Sequence, residues 1–175
     1  MKPASLAAAV ILAGTLALAG CAQLGLPAFG LQDSALSTPI APAEVEWSRK
    51  SGANTVSGLA VQKAGDTTHT CAGQSANLIP DSAYARARMT AIFGNPTRGT
   101  RASSLGPVKF EQNDPLYVST MRTTRCDTAG SFSFPRVPDG AWYATTAVKW
   151  GQNDGGSMMQ RVDVRGGKLV KITLP

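Results

Sequence analysis

Arg125-Cys126-Asp127-Thr128-Ala129-Gly130-Ser131-Phe132-Ser133-Phe134, continuing through Val137-Pro138-Asp139-Gly140-Ala141-Trp142-Tyr143, is the stretch whose reading decides the fold. Asp127 to Gly130 has the composition of a tight turn, and Phe132 and Phe134 then fall on one side of an extended segment because strand side chains alternate. Both phenylalanines are expected in the core. Pro138-Asp139-Gly140 turns the chain again, since proline presets φ and glycine accepts φ > 0. A long strand follows from Ala141 to Trp150, placing Trp142, Ala144, Thr146, Val148 and Trp150 on one face and Tyr143 on the other.

The same texture of short apolar runs between turn residues extends in both directions. Towards the C-terminus, Gly155-Gly156 leads into Met158–Val164, and Gly166-Gly167 into Leu169–Leu174, read together as a closing hairpin. Towards the N-terminus, Tyr117–Thr124 reads as a strand rich in β-branched residues, as do Thr55–Gln62 and Gln74–Ile79. After Pro80, Asp81 is placed to cap a short helix built on Ala83-Tyr84-Ala85-Arg86-Ala87-Arg88-Met89 and stopped at Gly94-Asn95-Pro96. Tyr84 and Arg88 share a face of that helix, with Tyr84 expected to pack on the sandwich. The pattern predicts an antiparallel all-β domain.

These residues resemble the T-x-x-D-x-x-G-x-F-x-F-x-x-(V/L)-P-x-G-x-Y pattern of carboxypeptidase regulatory-like domains. Gly58, Ala60 and Val61, followed by Leu78-Ile79-Pro80, look like the earlier strands of that family. The resemblance spans Thr55 to the end, interrupted over 81–110. It implies a transthyretin-like antiparallel β-sandwich of about seven strands with one short helix, generally an accessory or carbohydrate-associated module, and no activity.

The beginning of the chain carries a separate signal. Lys2 precedes an uncharged apolar run, Leu6 to Leu18, which ends in Ala19-Gly20-Cys21. That run is short for a stable anchor and its small residues suit processing. Leu18-Ala19-Gly20-Cys21 resembles the lipobox of bacterial lipoproteins. The resemblance implies a signal peptide over 1–20, cleavage after Gly20, a diacylglycerol on the Cys21 thiol and an acylated amino group. Ala22 stands where lipoproteins retained in the inner membrane usually carry Asp, so the expected address is the outer membrane, facing the periplasm. From Cys21 to Glu46 the chain reads as lipidated cysteine and flexible tether, with a reach of roughly 25 to 30 Å. Leu24, Leu26 and Phe29 are placed against either the bilayer or the domain. The β domain occupies 47–175.

Export puts the two remaining cysteines, Cys71 and Cys126, in an oxidising compartment, where an even pair is expected to join. Closing a loop of that length stabilises a fold by about 4 kcal/mol in the chain-entropy model. Two free buried thiols, or a metal site with His69, are the competing readings. A structural zinc site wants four ligands, and the sequence has no further histidine or cysteine to supply them.

The chain carries 17 Lys and Arg against 11 Asp and Glu, a formal charge of +6. Nine of the arginines are spread from Arg86 to Arg165 rather than gathered, which argues against a nucleic-acid surface. A serine hydrolase would have to use His69 with Ser75, Ser103 or Ser119, and no G-x-S-x-G elbow surrounds these serines. Hydrolases of the transthyretin-like class end in Tyr-Arg-Gly-Ser, whereas this chain ends Lys171-Ile172-Thr173-Leu174-Pro175. Glu111 with Asp114, and Asn153-Asp154-Gly155-Gly156, lack the ligand count of a calcium loop. Among the aromatics, Trp142 and Trp150 share a face with Val148 and are expected to be buried, leaving Tyr143 as the first ligand-binding candidate. The chain therefore reads as a lipid-anchored envelope protein with no catalytic residues, cofactor or metal. Its sandwich is expected to bind or brace another envelope component, a protein or a cell-wall glycan. A carbohydrate or small-ligand binder is the second reading and an envelope hydrolase the third.

Overall fold

The computed structural model describes residues 35–175. Its strands are β1 (Asn54–Leu59), β2 (Val61–Ala64), β3 (Thr67–Thr70), β4 (Ser75–Pro80) and β5 (Arg98–Ala102). They continue with β6 (Arg122–Arg125), β7 (Ser131–Val137), β8 (Gly140–Lys149), β9 (Gly155–Val164) and β10 (Leu169–Thr173). A three-stranded sheet, β10-β1-β7, faces a five-stranded sheet, β5-β9-β8-β4-β6, while β2 and β3 form an outlying hairpin. The β-sandwich expected from the sequence is present, with ten described strands rather than about seven.

Two apolar layers hold it. Between the sheets lie Val56, Leu78, Phe132, Phe134, Trp142, Val148, Met158 and Ile172. Phe132, Phe134, Trp142 and Val148 are thus buried as their alternation predicted, and each contributes about 2–3 kcal/mol of transfer free energy. The second layer covers the other face of the five-stranded sheet. There Ile79, Tyr143 and Met159 pack under α2 (Ala83–Phe93) and α3 (Pro115–Thr120).

The strand expected over 117–124 is α3 followed by the short β6, because Pro115 opens a helix and Asp114 caps it, accepting from the amides of Leu116 and Tyr117 at 2.7 and 3.2 Å. The cap outweighs a weak β propensity. Helix α2 is capped by Ser82, which accepts from the Ala85 amide, and not by Asp81. Asp81 instead bridges Arg86 and Arg161. Gly94, in the left-handed conformation, ends α2 as expected. The helical content therefore exceeds the single short helix read from sequence.

The strand expected over 55–62 divides at Ala60, whose amide donates to Gly130 O and whose carbonyl accepts from Cys71. From there the chain leaves the sheet to form β2–β3. The closing hairpin is also absent: β10 does not pair with β9 but lies parallel to β1. Gly166 and Gly167, both at positive φ, carry the chain across from one sheet to the other. Buried Asn54 secures the crossing by donating to Val137 O and Asp139 Oδ1 and accepting from Lys168 N.

The tether expected to run to Glu46 is part of the domain over its last residues. Ile40 and Val45 are buried with the helical layer, and α1 (Pro42–Val45) leads into a 3₁₀ turn, Glu46–Arg49. Trp47 then meets Trp142 edge to face at 5.0 Å, over Gly140, where a Cβ would collide with its ring. Arg122 locks this end, donating to the carbonyls of Ser48, Lys50 and Arg136. Trp47 and Arg122 thus close the Pro138–Gly140 end of β8, and β8 rises about 30 Å to the opposite end.

Candidate functional site

That opposite end is assembled from four connections. The β8–β9 loop, residues 150–154, forms its tip; beside it stand the β2–β3 hairpin, the end of β5, and the turn from Cys126 to Gly130. Gly155 makes the tip tight, at φ 111° and in a position where a Cβ would run into the Val148 carbonyl. The Cys71–Cys126 disulfide ties the β2–β3 side to this end, with Cα atoms 5.7 Å apart. The pairing expected from the cysteine count is the one observed.

The disulfide removes both thiols from any metal set, and His69 has another role. Its imidazole stacks on Trp150, ring centroids 4.3 Å apart and planes 15° from parallel. Both rings are half-buried. Trp150 was expected in the core with Trp142 and Val148; it only packs against the edge of that core, because β8 ends at Lys149 and the next residue already belongs to the tip. Gln62 lies directly across from His69 in the β2–β3 register, and its Oε1 is buried near Gly156 with no hydrogen-bond partner. Exposed Gln152, Asn153 and Asp154 follow Trp150 in the tip loop. The arrangement offers a rigid aromatic surface beside planar polar side chains, the composition of a site that stacks on a ring and orients it by hydrogen bonds.

Tyr143, the ligand-binding candidate of the sequence reading, occupies the opposite face of β8 as its alternation required, but that face is covered by α2. Its ring is fully buried. Its hydroxyl has no hydrogen-bond partner, and burial, seconded by the Asp81 carboxylate, pushes the phenol above its ordinary value. It presents no surface to a ligand. Cys21 lies outside the described residues. Asp114 and Glu111 do not form a carboxylate pair: Asp114 is consumed by the amides of Ile40, Leu116 and Tyr117. Ser119 accepts from Arg49, and no hydrogen bond joins His69 to Ser75, Ser103 or Ser119.

Around the tip, on the outer face of the five-stranded sheet, runs a groove that the sequence did not suggest. Two adjoining cavities of about 420 and 380 Å³ share Arg88, Ile92 and Ser157. One continues past Arg101 and Lys149 to Gln152 at the tip, the other past Thr145 to Asn77 and Ser75. One wall is the segment 103–113, a 3₁₀ turn at Ser103–Leu105 followed by irregular chain. Arg88 holds it, its guanidinium 3.9 Å from the Phe110 ring centre and 4.8 Å from that of Tyr117, with Nη1 donating to Asn113 Oδ1 and Tyr84 Oη. Arg88 Nε is buried without a partner. Burial raises the Tyr117 phenol and Arg88 opposes the shift. Tyr84 and Arg88 were legible as helix neighbours; their grip on a segment some 25 residues away was not.

No family model matches the chain, and no curated protein matches it. Among solved structures it is similar to a "putative carbohydrate binding protein" from Pseudomonas aeruginosa, with a TM-score of 0.62, 20% identity, and coverage of 78% of this chain and 97% of that one. A minor pilin of the Gram-positive pathogen Streptococcus agalactiae aligns with a TM-score of 0.35 at 18% identity, over 73% of this chain and 43% of its own. At such identity the first likeness speaks to the fold alone.

Proposed function

We propose that this protein is a noncatalytic, lipid-anchored envelope lipoprotein whose carboxypeptidase regulatory-like sandwich binds a glycan at the β8–β9 tip. The observation that carries the reading is the half-exposed Trp150–His69 stack, with Gln62 across from His69 and exposed amide and carboxylate side chains at 152–154 in the loop that follows Trp150. A pyranose has an apolar C–H face that suits an aromatic ring and a rim of hydroxyls that both donate and accept, which matches this mixture of groups. The Pseudomonas aeruginosa neighbour's description as a carbohydrate binder agrees with it.

The placement of the site suits an anchored molecule. With Cys21 acylated, a tether whose reach of roughly 25 to 30 Å is comparable to the length of β8 leaves the tip free to face away from the membrane. Glycan binding therefore ranks above the bracing of a protein partner. Exposed large apolar residues among those described are Leu105, Val118 and Leu169, which belong to three separate elements and make no broad patch.

Titration of the full-length protein in neutral detergent micelles with soluble cell-wall and surface glycan fragments tests this. Saturable binding is expected, weakened about tenfold by Trp150→Ala. Absence of saturable binding to any fragment, together with recovery of a stoichiometric protein partner from solubilised envelopes, overturns it.

A further inference from the structure

The groove on the outer face extends the tip site, and its own lining, unlike the tip with exposed Asp154, carries charge of one sign. Arg88, Arg101 and Lys149 are its charged lining, with no acidic side chain among the residues that line it. Nor are these cations paired elsewhere. Among the described residues, ion pairs join Asp81 to Arg86 and Arg161, and Arg161 to Asp163. Arg101 donates from Nε and Nη2 to the carbonyls of Leu105 and Gly106, neutral acceptors that orient the guanidinium without cancelling its charge. Lys149 is exposed and immediately precedes Trp150, so its ammonium and the aromatic pair flank the same tip.

Resting on the glycan reading above, we infer that the sugar chain taken at the Trp150–His69 stack is acidic, and that Lys149 and Arg101 receive its pendant anionic groups as it passes over the tip into the groove. Three uncompensated cations converging on a cleft with hydroxyl- and amide-bearing walls attract anions over about a Debye length. With its Nε–Nη2 edge held by carbonyls, Arg101 keeps Nη1 in a fixed orientation to donate to a carboxylate or phosphate oxygen, so little rotamer freedom is lost on binding. Arg88, with Nε unpartnered behind them, supplies positive potential at the floor. Carboxylate and phosphate substituents share this chemistry.

The test compares hexagalacturonate with its fully methyl-esterified form, which keeps the rings and removes the charge, and with a phosphate-bearing oligomannoside. Full-length protein in neutral detergent is used at about 0.05 M and about 0.5 M salt. Hexagalacturonate is expected to bind about tenfold more tightly than its ester at low salt, with the gap closing at high salt. Lys149→Gln and Arg101→Gln should each reduce that preference about threefold to fivefold. Lys171→Gln, the same charge change on β10 of the other sheet, should leave it intact. Preference for the phosphorylated probe over the carboxylated one, abolished by the same two substitutions, supports the site and assigns it phosphate. Equal, salt-insensitive binding of acid and ester overturns the acidic-glycan inference while the tip site stands. Failure of every glycan to bind removes the reading on which it rests.

Discussion

The carboxylate of Asp114 fastens the amide of Ile40, 74 residues away in sequence, at 2.8 Å while its other oxygen caps α3. One side chain thus decides both that 115–120 is helical and that the incoming chain lies on the domain rather than beside it. Asp114→Ala should lower stability by about 1–3 kcal/mol, the sum of a lost cap and a lost charge-assisted bond. Hydrogen exchange at Ile40 should accelerate; an unchanged exchange rate there would show that the segment is held by apolar contact alone.

The Cys71–Cys126 bond closes a loop with a separation of 55 residues and ties the turn that supports the tip. Its removal by Cys71→Ala with Cys126→Ala should cost about 4 kcal/mol in denaturant unfolding. Nonreducing peptide mapping of exported protein should recover the two cysteine peptides linked. Free thiols at both positions would contradict the bond.

Tyr143 carries a buried hydroxyl with no partner, so Tyr143→Phe should hold or raise stability at neutral pH, by about 1 kcal/mol. The alkaline limb has a defined sign. Because burial raises the folded-state value of Tyr143, and likewise of Tyr117, the neutral phenols favour the fold fully below the ordinary tyrosine range near 10. That advantage falls as pH rises beyond it towards the raised values. Melting curves from neutral to strongly alkaline pH should show a shallower loss in Tyr143→Phe than in wild type; identical slopes would place the alkaline transition elsewhere.

Cys21→Ser should abolish labelling by fatty acid analogues and leave an uncleaved or soluble product. Unchanged mass and membrane retention in the variant would remove the lipid anchor.

Much of this could be read from local chemistry. Phe132 and Phe134 alternate onto one face, Pro138-Asp139-Gly140 can hardly do other than turn, and two cysteines expected in an oxidising compartment have few alternatives to each other. Such features depend on side-chain period and backbone preference, which act over a few residues. The same rules misassigned 117–124, where β-branched content pointed one way and the Asp114-Pro115 cap, equally local, outweighed it.

What needed the assembled structure was everything made by contact at long range. Gly166-Gly167 looks like a hairpin turn, yet it crosses between sheets because Asn54 is there to receive Lys168. Tyr143 follows the alternation of β8 faithfully, but whether its face meets water depends on where α2 lies. Trp150 shares the period of Trp142, but the sheet ends before it, and His69 arrives from another hairpin to stack on it. Periodicity states which residues share a side. Burial, partners and sites depend on what packs against that side, and those neighbours are distant along the chain.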